Sequence, residues 1–554
     1  MPSANSEVLA GDVGDFDAVV VGAGFAGLYA LHKLRDQLGL SVCVYEAGGE
    51  VGGTWYWNRY PGARCDIESY CYSYSFSDEL QQEWEWSERF AGQPEIRRYL
   101  NHVADKFDLR RDIQFGTRVI SATYHDERSV WEVCTDQGQR VRAQFLVCGT
   151  GNLSAPKVPD FHGLDSFAGQ LYCTSSWPHQ EVDFTDQRVG VIGTGSSGIQ
   201  VIPEIAQQAA HLTVFQRTPN YATPLGNGAM DPEFQRYIKQ NYGTIRARSR
   251  MNNTGVPYDE RVQPSALDAD PDDRRRTYEA RWTEGGFRFL KDAYSDLLID
   301  KDANETAAAF IRDKIRQQVQ DPKVAEQLVP DTYPYGTKRP PLETNYYRTF
   351  NRDNVTLVDL RSTPLLRIVE SGVETSETVY ELDSIVLATG FDAMTGPLLR
   401  MGVRGRSGLS LGRCWENGPR TNLGLMVDGF PNLFVITGPQ SPSVLYNMPL
   451  AIEDHVDWIS DCIRYLRERS VKTIEPSAES VAEWVSHTNE IANATLMSMA
   501  HSWYTGDNIP GKPRAFMVYL GGAPRYRQIC DDIAAAGYRG FILDGAASAA
   551  ERDT

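Results

Sequence analysis

The 554-residue chain carries no Cys-x-x-C pair, and its nine cysteines are scattered without the spacing of a metal site. A thiol–disulfide reductase needs a redox-active cysteine pair, so that class is excluded, and no metal ligand set is expected. An odd, dispersed set of thiols points instead to a reducing compartment, the cytoplasm. No apolar run approaches the ~20 residues needed to cross a bilayer, so neither a span nor a membrane partner is expected. The opening stretch MPSANSEVLAGDVGDFD has no basic region leading into an apolar core, which argues against a secretory leader. Positive charge is short as well: 55 lysines and arginines against 73 aspartates and glutamates leave a formal net charge of −18. Nucleic acid is therefore not an expected partner. Any anionic ligand must be held by backbone amides and a few placed cations.

What the chain does have is one nucleotide motif written twice. FDAVVVGAGFAGLYALHKL opens with a strand at Asp17–Val21, then Gly22, Gly24 and Gly27 in G-x-G-x-x-G spacing. A helical pattern follows, with apolar residues at Leu28, Ala30, Leu31 and Leu34. The glycines serve a tight turn, close approach of backbone to pyrophosphate, and close packing of helix on strand, while the helix start offers free N–H groups to phosphate. The next strand, in SVCVYEAG, ends at Glu46, 19 residues after Gly27, where a carboxylate can accept hydrogen bonds from an adenosine ribose.

QRVGVIGTGSSGIQVIPEI repeats the arrangement, with a strand at Val189–Ile192 and glycines Gly193, Gly195 and Gly198, interleaved with Thr194, Ser196 and Ser197. Its second strand, LTVFQRTP, places Arg217 19 residues after Gly198, in the slot that holds Glu46 in the first unit. A ribose 2′-hydroxyl suits a carboxylate; a 2′-phosphate repels one and pairs with arginine. The first unit reads as an FAD site and the second as an NADPH site.

Two further strand-then-glycine segments, FLVCGTGNLSAP around Gly149 and the Ala388-Thr389-Gly390 turn, are expected to carry the chain between the nucleotide domains, and a Gly438-Pro439 turn to return it to the flavin. The expected fold is α/β, with two Rossmann-like dinucleotide-binding domains of flavoprotein-reductase type and a helical insertion. Residues 1–155 and 395–554 are assigned to the FAD domain, 156–225 and 336–394 to the NADPH domain, and 226–335 to a cap of solvated helices such as IRDKIRQQVQDPKVAEQLV.

FAD with NADPH implies hydride transfer to flavin and leaves oxygen as the second acceptor. Here the motifs become specific. GGTWYWNRYPGARCD (Gly52–Asp66), the two glycine motifs, and FAGQLYCTSSWP (Phe167–Pro178) just before the second resemble the type I Baeyer–Villiger monooxygenases. VGVIGTGSSGIQ, NRDNVTLVDLRSTP and SWYTGDNIPGKPR are most similar to the phenylacetone and steroid monooxygenase branch. The resemblance spans about Phe16 to Leu543 and implies an enzyme that oxidises ketones to esters or lactones with FAD, NADPH and O2, through a C4a-peroxyflavin and a Criegee intermediate.

It also implies roles for particular residues. Arg339, in YGTKRPPLETNYY, matches the cation that keeps the peroxide deprotonated, and Asp66 the carboxylate that holds it. Lys338 matches a lysine that joins Arg217 and Thr218 around the 2′-phosphate, and Trp503 a loop tryptophan that contacts the nicotinamide nucleotide. Gly53, Thr54 and Trp55 lie in the long fingerprint and, with Tyr72, Val119 and Met448, are implied flavin neighbours.

Cys173 stands where the family has a histidine, in a linker away from the peroxide. Cysteine is small and a weak donor, so the NADPH step or domain linkage should change while oxygenation chemistry is kept. The substrate pocket is expected from the cap, the Tyr346 neighbourhood, the Ser441–Met448 region and the Trp503 loop. It should accept aliphatic or small cyclic ketones, with aryl ketones next, in a monomer or weak oligomer. Two other classes compete: a flavin monooxygenase oxidising sulfur or nitrogen, against which Trp177-Pro178 speaks, and a non-catalytic redox sensor, which has no use for a peroxide-stabilising cation.

Overall fold

The structure, a computed structural model, describes residues 14–157, 159–258 and 262–544. The stretch weighed above as a leader lies outside the described residues up to position 13. Among the described residues the fold is α/β, built on two large, separate sheets with three smaller ones beside them.

In the first sheet the strand Gly14–Val21 runs parallel to Val42–Tyr45 on one side and to Arg140–Cys148 on the other. Ala18, Val19 and Val20 are fully buried, as a parallel strand covered on both faces must be. Arg140–Cys148 shares its other edge between two partners. Its first half pairs antiparallel with Trp131–Cys134, and its last residues pair in parallel with Leu433–Val435. The C-terminal third of the chain thus completes the sheet that the N-terminus begins.

The second sheet has five strands, all parallel, in the order Val355–Asp359, His211–Gln216, Arg188–Ile192, Ser384–Leu387 and Gln170–Cys173. In each sheet a glycine loop follows the central strand and leads into a helix, Phe25–Leu31 in one and Ser196–Gln208 in the other. The first helix then widens into π-helical winding at His32–Gln37.

The glycines do what their spacing implies. Gly22 has φ +101°, and a Cβ there would lie 2.6 Å from the Gly149 carbonyl; Gly193 has φ +110°, with the Ala388 carbonyl at 2.5 Å. The two connecting turns recognised in the sequence therefore press against the first glycine of each loop. A Cβ on Gly27 would sit 1.7 Å from the Gly22 carbonyl, and one on Gly198 2.1 Å from that of Gly193.

The helical insertion contains Pro232–Met251, Pro271–Glu284, Lys301–Gln318 and Pro322–Leu328. Asp231, Asp270, Asp300 and Asp321 cap them by accepting from first-turn N–H groups, three of them just before a proline. The expectation of merely solvated helices needs correction. Ala303, Ala307, Ala308, Ile311 and Ile315 are buried in one core with Ile199, Ile202 and Ile205 of the second domain. Ile238, Tyr242 and Ile245 pack with Tyr70 and Cys71. Only the outer faces are solvated, because alanine and isoleucine at helical spacing make one apolar face.

Gly27→Ala should cost about 1–3 kcal/mol, since the atom it strikes is backbone and cannot yield. Denaturant melts and the ratio of flavin to protein absorbance check this; an unchanged midpoint with full flavin would contradict the packing.

Candidate active site

A cavity of about 1210 Å³ is lined by both glycine loops and collects nearly every residue singled out in the sequence. The first-domain segments contribute Gly22, Gly24, Glu46, Gly53, Thr54, Trp55, Asp66, Tyr72 and Val119. Gly193, Thr194, Gly195, Ser196, Ser197, Arg217 and Thr218 come from the second domain, Lys338 and Arg339 from the segment after the cap, and Met448 and Trp503 from the C-terminal region. Gly27 and Gly198 do not line it and pack helix on strand instead. Tyr346 does not reach the cavity either. It is buried edge-to-face with Tyr347 and Phe350, so that part of the expected pocket wall is wrong. Pro340 and Pro341 line the cavity nearby.

The residues fit two dinucleotides. Neither helix start carries a side-chain cap, so the amides at Gly24 and Gly195 remain for phosphate. Nothing lies within 4 Å of where a Cβ on Gly195 would sit, while Gly24 and Gly53 approach so closely that a Cβ on Gly53 would be 3.0 Å from the Gly24 Cα. Glu46 is buried and accepts from the backbone N–H of Ala23 at 2.7 Å and of Gly48 at 2.6 Å. Burial raises its carboxyl above the ordinary range against the pull of these amides. It organises the loop as well as facing the cavity. The Trp55 indole N–H donates to the Tyr72 hydroxyl at 3.2 Å, which fixes two of the implied flavin neighbours against each other.

Around Arg217 the structure gathers Lys338 and, unforeseen in the sequence, Lys157. Burial and the charge of Arg217 both lower the two lysines below their ordinary value. Lys338 lies over the Tyr333 ring at 4.2 Å, and Lys157 donates to the Asn508 carbonyl. Among the described residues none of the three cations pairs with a carboxylate, which leaves a site of matching charge for a phosphate.

Arg339 is differently placed. Its Nε and Nη2 donate to the two oxygens of Asp66, both at 2.8 Å, and Nη1 donates to the Val444 carbonyl at 2.7 Å. The guanidinium also lies over the Phe287 ring at 4.8 Å. Burial opposes its charge, but Asp66 outweighs burial and holds it above the usual range. Beside it, burial pushes the Tyr504 hydroxyl up to about 12, with Arg339 opposing. Lys291, which lines the same cavity, is pushed down to about 8 by burial, with Arg339 adding to the effect.

Lys157, Lys291, Phe287 and Tyr504 were not singled out by sequence reasoning, and Val444 only as part of the Ser441–Met448 region. Only Lys291 left a trace, as a cation beside Asp292 between the apolar pairs of the FLKDAY stretch.

The loop bearing Trp503 is tied to the turn after the second sheet. Lys512 pairs with Asp392 at 2.9 Å, and the Asn508 amide donates to the Phe391 carbonyl at 2.7 Å. Trp503 is half-buried, with its ring 4.3 Å from that of Tyr504, and is not a core residue.

Comparison with known proteins gives concordant relatives. The flavin-binding monooxygenase-like family model matches residues 17–223. Acetone monooxygenase (methyl acetate-forming) of Gordonia sp. strain TY-5 is 45% identical over 529 residues, covering 95% of this chain and 99% of that protein. A structure of oxidized steroid monooxygenase bound to NADP has 53% identity and a TM-score of 0.91, covering 96% of this chain and 99% of the other. The closed crystal structure of cyclohexanone monooxygenase has 43% identity and a TM-score of 0.94 over 97% and 100%.

Cys173 ends the edge strand Gln170–Cys173 of the second sheet, in register with Leu387, so it belongs to the sheet itself and not to a connecting linker. Its Sγ lies 3.0 Å from the Ser175 Oγ, and Ser175, not Cys173, lines the cavity. Trp177 is buried, with its ring 5.3 Å from that of Tyr172. Cys173→His should therefore alter the rate at which NADPH reduces the flavin while leaving product identity unchanged. Stopped-flow reduction with product analysis checks this, and a switch in product type would overturn it.

Proposed function

The chain belongs to the type I Baeyer–Villiger monooxygenases, and on that premise we propose how its own residues divide the labour. It is an FAD-containing, NADPH- and O2-dependent enzyme: a ketone, O2, NADPH and a proton give an ester or lactone, water and NADP⁺. Bound FAD supplies oxygen activation, and NADPH supplies the two electrons.

The observation that carries the division is the Asp66–Arg339 pair in the same cavity as both phosphate cradles. Arg339 stays charged at any working pH, and three of its five N–H groups are committed, leaving two for Tyr504 and a ligand. Such a fixed, partly dehydrated cation stabilises negative charge that develops on oxygen beside it, with no reorganisation at the moment of reaction. Asp66 orients the guanidinium without discharging it. Glu46 and the loop Gly22–Gly27 hold the FAD ribose and pyrophosphate. The loop Gly193–Gly198 holds the pyrophosphate of NADPH, and Arg217, Thr218, Lys338 and Lys157 hold its 2′-phosphate. Trp503, on its tethered loop, covers the nicotinamide side and excludes water.

Residues 1–155 with 395–554 make the FAD domain, 156–225 with 336–394 the NADPH domain, and 226–335 the cap. The pairing of Leu433–Val435 with Arg140–Cys148 and of Ser384–Leu387 with Arg188–Ile192 supports this division. No described helix is long and apolar enough to cross a membrane. Nine unpaired thiols support a cytoplasmic enzyme, which we take to be a monomer or weak oligomer. Relatives named for acetone and cyclohexanone support small aliphatic and cyclic ketones as substrates.

Arg339→Ala should still allow NADPH to reduce the flavin but lower ester formation by about 10²–10³-fold, read by gas chromatography of 2-octanone products. Normal ester yield would remove Arg339 from this role. Arg217→Ala should raise KM for NADPH about 10–100-fold and leave KM for NADH nearly unchanged, because NADH lacks the 2′-phosphate. Equal effects on both would refute the assignment.

A further inference from the structure

Lys291 is a basic side chain that meets no carboxylate partner among the described residues. It ends the short helix Arg288–Lys291, and its backbone N–H donates to the Phe287 carbonyl at 2.9 Å. Residues one turn apart share a helix face, so Lys291 lies on the face of Phe287, the ring over which Arg339 sits. Phe287, Leu290, Lys291, Leu298 and Arg339 all line the cavity. Lys291 is therefore an amine set among apolar side chains beside the guanidinium of the active site.

Its neighbours are already engaged. Asp66 gives both oxygens to Arg339. Asp292 pairs with Arg288 at 2.9 Å. Glu68 pairs with Arg89 at 3.3 Å and accepts from the Tyr258 hydroxyl, also at 3.3 Å. Among the described residues the Lys291 amine has no ion pair and no hydrogen bond. The burial that lowers its proton affinity is the ordinary response of such a group. An unpaired ammonium against an apolar wall is costly unless a ligand brings the counter-charge. A plain aliphatic ketone brings none.

The geometry points to Lys291 as a specificity residue that grips a carboxylate at the far end of the substrate, so that the favoured ketones are oxo acids with the carbonyl directed to Arg339. This inference rests on the ketone-oxidising reading above and adds the substrate class. It uses no further group of the protein, because carboxylate and ammonium complete each other.

The test compares 7-oxooctanoate with its methyl ester, substrates of equal chain length that differ in charge, on the holoenzyme with NADPH. The acid should have the higher kcat/KM in the wild type. The acid-to-ester ratio should fall about tenfold or more in Lys291→Met and be largely retained in Lys291→Arg. A shorter series, 4-oxopentanoate and 5-oxohexanoate, reads how far the amine is from the reacting carbonyl. Binding gives an independent readout without turnover: octanoate should perturb the flavin spectrum at a concentration that rises about tenfold in Lys291→Met, whereas 1-octanol should not discriminate the variants. A wild-type ratio at or below one, or a ratio that Lys291→Met leaves unchanged, overturns the inference. If 2-octanone is converted while the acid is not preferred, only the role of Lys291 fails. If neither ketone yields an ester, the functional reading fails with it.

Discussion

One guanidinium joins three distant parts of this chain. Arg339 reaches Asp66 across 273 residues and the Val444 carbonyl across 105, and it rests on Phe287 of the cap. A partly buried ion pair repays its desolvation only when the geometry is good and the remaining donors are satisfied. Two parallel hydrogen bonds, a carbonyl and an aromatic face supply the good geometry and commit three of the five donors. The two nucleotide cradles lie in separate sheets and can serve one reaction only if their open ends share a cavity. The Asp66–Arg339 contact is where the first domain, the segment after the cap and the C-terminal region come together.

The charge of the molecule runs against the charge of its cavity. The chain as a whole is at −18, yet Arg217, Lys338, Lys157, Lys291 and Arg339 all line the interior, where Asp66 neutralises one cation. In low dielectric a few placed charges outweigh many dispersed ones at the surface, which water and salt screen. Burial, with the crowding of positive charge around Arg217 adding to it, depresses the two lysines there. The acidic exterior is thus compatible with tight, local binding of anionic cofactors.

Much of this was legible in the sequence because backbone geometry demands particular residues. Only glycine can occupy Gly22 and Gly193 at positive φ against a carbonyl, or Gly27 and Gly198 at the helix–strand contact, so the two cradles announce themselves by spacing. Glu46 and Arg217 follow at a fixed distance along the next strand. Side chains delivered by the cap and by long connections carry no such constraint. Lys157, Lys291 and Tyr504 could each pass for an ordinary residue in its own segment, and nothing local says that they converge. Tyr346 shows the converse error: its neighbourhood is an expected pocket wall, but aromatic packing with Tyr347 and Phe350 claims the side chain for the core. Fold and cofactors follow from local rules, whereas the substrate end is set by tertiary arrangement.

The strand Arg140–Cys148 takes Leu433–Val435 along the last part of its edge. A chain leaving the ribosome therefore has every strand of the second sheet available by Leu387, while the first sheet still waits for a piece more than forty residues away. Birth order and completion order are reversed: the domain that starts first closes last, around a neighbour already formed. Until then an unpaired strand edge is exposed in the nascent protein, a known hazard for misassociation. By the same arrangement, a chain ended before Leu433 lacks the strand that finishes the flavin sheet.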